Sequence, residues 1–137
     1  MAEKSVKTGV QRGRGEPEYQ WTVSILHVAF EEAMAFLTPA GYQHLAMQVK
    51  ELARQGDPTH SVTVSVRAIE DFYEIRDKGG PLGKHNVRVF FGCDARLRRI
   101  VILGTLSKKN DGATPLGDRK RMARRWRAYS RGDYVME

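Results

Sequence analysis

The side chains in this chain with the means to do chemistry are mostly cations. Its four histidines, His27, His44, His60 and His85, follow no spacing that would gather them onto one metal ion. The single cysteine, Cys93, can form no internal disulfide. It lies in the strand-like "FFGCD", where a packing or turn role suits it better than that of a nucleophile. Lys108 and Lys109 close one apolar run, Arg88 interrupts another, and Glu74 and Arg76 alternate onto one side of "DFYEIR". Residues 119–127 read "RKRMARRWR". Guanidinium and ammonium groups match the negative charge on phosphoryl oxygens, so such a set suits the binding of a phosphate polymer and requires no metal or other cofactor.

Where these cations fall says more than their number. The net charge is +7, but residues 1–15 carry +3, residues 16–75 carry −6, residues 76–131 carry +12 and the last six carry −2. An acidic stretch followed by a strongly basic one suggests a footprint for a polyanion, with RNA as the expected partner. A basic helix that is merely solvated would give part of the same pattern, but here the excess runs through strand-like segments too.

The elements that must position these groups can be read from periodicity. With 137 residues, 41% of them hydrophobic and 28% charged, the chain has the size and mixture of one globular domain. No apolar run nears the ~20 residues of a membrane span, and no apolar stretch follows Lys4 and Lys7 as in a secretory signal. A cytoplasmic protein without a membrane partner is expected. Residues 1–17 are Gly-rich, basic and aperiodic, and read as a disordered leader; 18–131 form the domain and 132–137 a tail.

Residues 19–25 are a candidate strand. Residues 28–37 carry Phe30, Ala33, Met34 and Leu37 on one helical face, and residues 42–55 carry Leu45, Val49, Leu52 and Ala53 on another. Thr38 and Pro39 separate the two helices. Strand patterns follow at 61–66, 71–76, 86–92 and 99–109, joined by turn-rich segments. Pro115 fits the first turn of a last helix with Thr114 as its cap, and Met122, Trp126 and Tyr129 form the side of that helix that packs on the sheet. The fold class is α+β: an N-terminal strand and a helical hairpin on a small antiparallel sheet, with a basic C-terminal helix.

Four parts in this order carry a family resemblance. They are a strand ending Tyr73-Glu74-Ile75-Arg76, a strand with Arg88 before Phe90 and Phe91, an apolar strand ending in Lys108-Lys109, and Thr114-Pro115 opening a basic helix. Over about residues 19–129 the chain resembles the RelE/HigB superfamily of toxin–antitoxin toxins, and most the phage-derived HigB-like branch. The resemblance implies a RelE-like fold and a metal-independent endoribonuclease that cuts mRNA on the ribosome and so inhibits translation. It also implies a helix-turn-helix antitoxin as partner.

In that chemistry the RNA 2′-OH is the nucleophile, and the protein aligns it and stabilises the phosphorane-like transition state. The resemblance places Arg88 at the scissile phosphate, Arg76 at the same or the next phosphate, and Lys108 and Lys109 near the leaving oxygen. Glu74 and His85 are the candidates for general base. Arg98, Arg99, Arg119, Arg121, Arg124, Arg125 and Tyr129 are candidate RNA contacts. On this reading Arg88 lies on an open sheet face and its truncation costs little stability. A ParE-like gyrase-binding toxin and a phage-encoded nucleic-acid-binding module without catalysis are the alternatives.

Overall fold

The structure, a computed structural model, describes residues 3–6 and 19–134. The chain order is β1 (Glu3–Val6), β2 (Thr22–Leu26), α1 (His27–Phe36), α2 (Pro39–Ala53), β3 (Val66–Ala68), β4 (Tyr73–Lys78), β5 (Asn86–Asp94), β6 (Arg99–Lys108) and α3 (Leu116–Ser130), with a short 3-10 turn at Gly80–Leu82. The strands form one sheet in the order β1-β2-β6-β5-β4-β3. The α+β class expected from sequence is the one observed. The sheet is not wholly antiparallel, however: β2 runs parallel to β6, with Val23 opposite Ile100 and Ile25 opposite Ile102. The helical hairpin between β2 and the later strands supplies the long crossover that a parallel pair needs.

The two faces of the sheet are covered differently. One face, with Ile75, Val89 and Ile102, packs under α1 and α2 through Ala29, Leu45, Val49 and Leu52. On the rim of this layer the Asp77 carboxylate accepts from Gln48 Nε2 at 2.6 Å and meets His44 Nε2 at 2.6 Å. The opposite face holds Phe72, Glu74, Phe90, Arg88 and Gly104, and α3 lies across it. Close approach depends on two glycines. A Cβ on Gly92 would sit 2.4 Å from the Trp126 ring, and one on Gly104 would sit 2.3 Å from Met122 Cε.

Several expectations are corrected at element ends. Thr38 and Pro39 stop α1, but they also start α2: Thr38 Oγ1 accepts from Gly41 N at 3.1 Å and Pro39 begins the helix, so α2 opens three residues earlier than its apolar pattern. The second Thr-Pro pair behaves otherwise. α3 begins at Leu116 with Pro115 in the cap position, and Thr114 turns its hydroxyl inward instead of capping.

The buried side of α1 is Ala29 and Ala33, with Met34 exposed, because α1 lies so close to β6 that Thr105 Oγ1 donates to Ala29 O at 3.3 Å. Residues 61–65 are not strand. Ser61 Oγ accepts from Thr63 N and Val64 N, a local turn that competes with the ladder. Of the leader, Glu3–Val6 is a strand paired antiparallel with β2, whose outer edge it covers; the other leader residues and 135–137 lie outside the described residues.

Candidate nucleic-acid interface

Strand alternation puts Glu74 and Arg76 of β4 on the same face as Arg88 of β5, with Arg76 directly opposite Arg88. The bond pattern is a relay. Arg76 Nε donates to Glu74 Oε1 at 2.5 Å. The Thr114 hydroxyl donates to Glu74 Oε2 at 2.6 Å and accepts from Arg88 Nη1 at 2.7 Å. Arg88 Nη1 lies 4.0 Å from Glu74 Oε2, and Arg88 Nη2 donates to Gly112 O. Burial pulls the Arg88 guanidinium below its ordinary value, and the neighbouring Arg76 charge adds to the shift.

This geometry corrects the reading of Arg88. Neither Arg88 nor Glu74 exposes any surface. Loop 110–114, which joins β6 to α3, lies over them, so Arg88 is a buried ion-pair partner in this conformation and not an open phosphate contact. Glu74 is committed to Arg76 and Thr114, which removes it as a free base. Arg76 keeps partial exposure, and its Nη1 reaches Asp111 O at 3.5 Å.

The other predicted residues divide between tethers and free cations. Lys108 Nζ donates to Asn110 Oδ1 and Ala113 O, both at 3.1 Å. Lys109 is exposed. His85 faces away from Arg88, with Nδ1 2.9 Å from Ser107 Oγ and its ring 5.1 Å from Phe36. It does not join Arg76 in an acid–base pair.

Among the predicted RNA contacts, Arg125 is occupied elsewhere: its two terminal nitrogens grip both Glu32 oxygens at 2.9 and 3.1 Å and one also donates to Leu103 O. This clasp ties α3 to α1 around the stretch of β6 that β2 has left. Arg98 donates to Gln20 O and lies over the Trp21 ring at 4.9 Å. Arg99 and Asp94 both bond the Tyr129 hydroxyl, and Tyr129 stacks on Trp126. Burial, with the bond to Asp94, pushes the Tyr129 hydroxyl up to about 12. Arg121 pairs with Asp118 at 3.0 Å.

Arg119 and Arg124 remain exposed on α3, beside Lys120 and Arg127, and none of the four makes an ion pair among the described residues. They border a shallow groove between α3 and Glu70. Arg67, also exposed, is the cross-strand neighbour of Glu74 and so shares the α3 side of the sheet.

Sequence reasoning missed Thr114, Asn86, Lys78 and loop residues Asn110, Asp111 and Gly112 as members of the cluster. "NDGAT" reads only as a connection, and nothing in its composition says that it folds back over a strand. Among the described residues no group of three or more His, Cys, Asp or Glu side chains is placed to hold a metal ion, and no helix is long and apolar enough to cross a membrane. No protein-family model matches the chain, and no curated protein matches it either.

Proposed function

We propose that this protein is an RNA-directed toxin of the RelE/HigB kind, which engages ribosome-bound mRNA and blocks translation by cutting it. The observation that carries this reading is the outer side of α3. Arg119, Lys120, Arg124 and Arg127 stand exposed without an ion-pair partner among the described residues, on the side of the sheet that also holds Arg67 and Arg76. Unneutralised charge of one sign along a helix attracts a phosphate backbone and releases counterions when it binds. Arg76 is the strand cation best placed to reach a phosphate, because Glu74 fixes its Nε while its terminal nitrogens point toward the surface loop. A helix-turn-helix antitoxin would be the regulatory partner.

The reading is tested by changing Arg119, Lys120, Arg124 and Arg127 together to Gln and measuring ribosome binding over a range of salt. The expected result is weaker binding and a flatter salt dependence, by about 0.7 in log–log slope per lost contact to single-stranded RNA. Unchanged affinity and slope would remove the α3 surface from the interface.

A second reading, a non-catalytic RNA-binding module, is favoured by one observation: Glu74 is buried and paired, and His85 is turned toward Ser107 and Phe36. Primer extension on a translated reporter separates the two. Discrete cuts that vanish in Arg76→Ala support the ribonuclease; binding without cuts supports the module.

A further inference from the structure

Loop 110–114 attracts an unusual set of donors. Arg88 bonds Gly112 O and Thr114 Oγ1. Lys108 Nζ bonds Asn110 Oδ1, Gly112 O and Ala113 O. Lys78 Nζ bonds Asp111 Oδ2 at 2.7 Å, and Arg76 Nη1 approaches Asp111 O. Asn86 Nδ2 bonds Asn110 O at 2.9 Å and Asp111 Oδ1 at 2.8 Å. Four cations from three neighbouring strands thus converge on one five-residue segment.

Most of the acceptors they find there are neutral. Backbone carbonyls satisfy a donor's geometry but do not neutralise its charge, and among the described residues the cluster has two carboxylates, Glu74 and Asp111, for four cations. A second sign of mismatch is Arg88 Nε, which is buried and has no hydrogen-bond partner among the described residues. A phosphodiester offers what the carbonyls lack, anionic oxygens spaced for bidentate guanidinium contact. The outer attachment is also weak: Lys78 and Asp111 are both largely exposed, and an exposed pair of this kind is readily displaced.

We infer that loop 110–114 is an internal stand-in for RNA: its carbonyls and the Asp111 carboxylate occupy acceptor positions that phosphate oxygens take when the loop lifts. The strand site is therefore closed in the free protein and opens by exchange of loop oxygens for RNA oxygens. The identity of the ligand rests on the RNA-directed reading above. α3 would make the first contact, and the cations beneath the loop would be engaged only afterwards.

Loosening the loop without touching its cations tests this. In Asn110→Ala/Asp111→Ala, binding of a short single-stranded RNA should tighten by about tenfold. The salt slope should steepen by about 0.7 for each phosphate that the uncovered cations reach. Glu31→Gln removes one negative charge from α1, across the sheet, and controls for charge alone; it should leave the slope unchanged. Adding Lys108→Ala to the loosened protein should take back part of the gain and lower the salt slope by about 0.7, because one of the uncovered cations is then missing.

A folded loosened variant with the affinity and slope of the parent overturns the inference, whatever α3 does. Conversely, a gain on loosening that persists in the α3 quadruple variant supports the closed site even if α3 is not the docking surface. Should the loosened variant fail to fold, hydrogen exchange on the unaltered protein decides. Amides of loop 110–114 should exchange faster with RNA bound; slower or unchanged exchange overturns the inference.

Discussion

Arg88 and Glu74 lie on adjacent strands, 4.0 Å apart and without exposed surface, and the Thr114 hydroxyl bridges them by donating to one and accepting from the other. Removing one member of a buried pair leaves the other charge without a counterpart, and typically costs about 3–5 kcal/mol. Arg88→Ala should therefore lose most of that range in urea denaturation, against about 0.5 kcal/mol or less for exposed Arg119→Ala. An Arg88→Ala protein of near-parental stability would show that the relay contributes little. A loss of RNA activity in Arg88→Ala is informative only beside this folding control.

Thr114 contributes one hydroxyl and serves two partners. Thr114→Val keeps the shape but leaves an Arg88 N–H and a Glu74 oxygen without that bond. Unsatisfied buried groups cost about 1–3 kcal/mol each, more when charged. The expected loss is about 2–4 kcal/mol, measured by chemical denaturation, and Thr114→Ser should recover most of it. If the hydroxyl were only a helix cap, the loss would be nearer 1 kcal/mol.

Alternation pairs Arg88 with Phe90 in "NVRVFF" and Glu74 with Arg76 in "DFYEIR", and the Met122–Trp126–Tyr129 spacing gives α3 a side that packs on the sheet; that the two strand sets share one face, and that α3 covers it, follows from the β4–β5 register and the α3 contacts. What periodicity does not carry is the cover over each face. Arg88 reads as an exposed cation because the segment that buries it, loop 110–114, has no periodicity and acts through backbone carbonyls, which every residue has. Arg125 fails for a related reason: its partner Glu32 is 93 residues away and only the path of β6 brings them together. Arg124 differs from Arg125 in facing, which follows from the helical repeat once Met122 is known to point inward; Arg119 and Arg125 both lie three residues from Met122, and what separates them is that Arg125 meets Glu32.

Tyr129 gives the protein an alkaline signature. Its hydroxyl titrates at about 12 instead of its ordinary 10, through burial first and the bond to Asp94 second. A proton held more tightly in the folded state gives stability that is complete below pH 10 and is lost as the pH rises through about 12. Spectrophotometric titration of the parent should show one phenol that is absent from the Tyr129→Phe curve, and this difference should centre near 12. The thermal midpoint of the parent should also fall more steeply than that of Tyr129→Phe over the same interval. A difference curve centred near 10 would mean that the Asp94–Tyr129–Arg99 cluster is open to solvent.

The two glycines beneath α3 should respond differently to the same added methyl. At Gly104 the Cβ meets Met122 Cε and Sδ, the end of an unbranched side chain with several rotamers, together with Arg125 Nη1. At Gly92 it meets three carbons of the Trp126 ring, which is rigid and stacked on Tyr129. Overpacking of this kind costs about 1–3 kcal/mol, and the position whose neighbour cannot yield sits at the upper end. Gly92→Ala should therefore destabilise more than Gly104→Ala, by about 1 kcal/mol or more. It should also alter the near-ultraviolet circular dichroism of the Trp126–Tyr129 stack, while Gly104→Ala should leave that signal close to the parent and instead loosen the neighbouring Arg125–Glu32 clasp. Equal losses at the two sites, or an unchanged aromatic signal in a folded Gly92→Ala protein, would show that α3 lies further from the sheet than these contacts require.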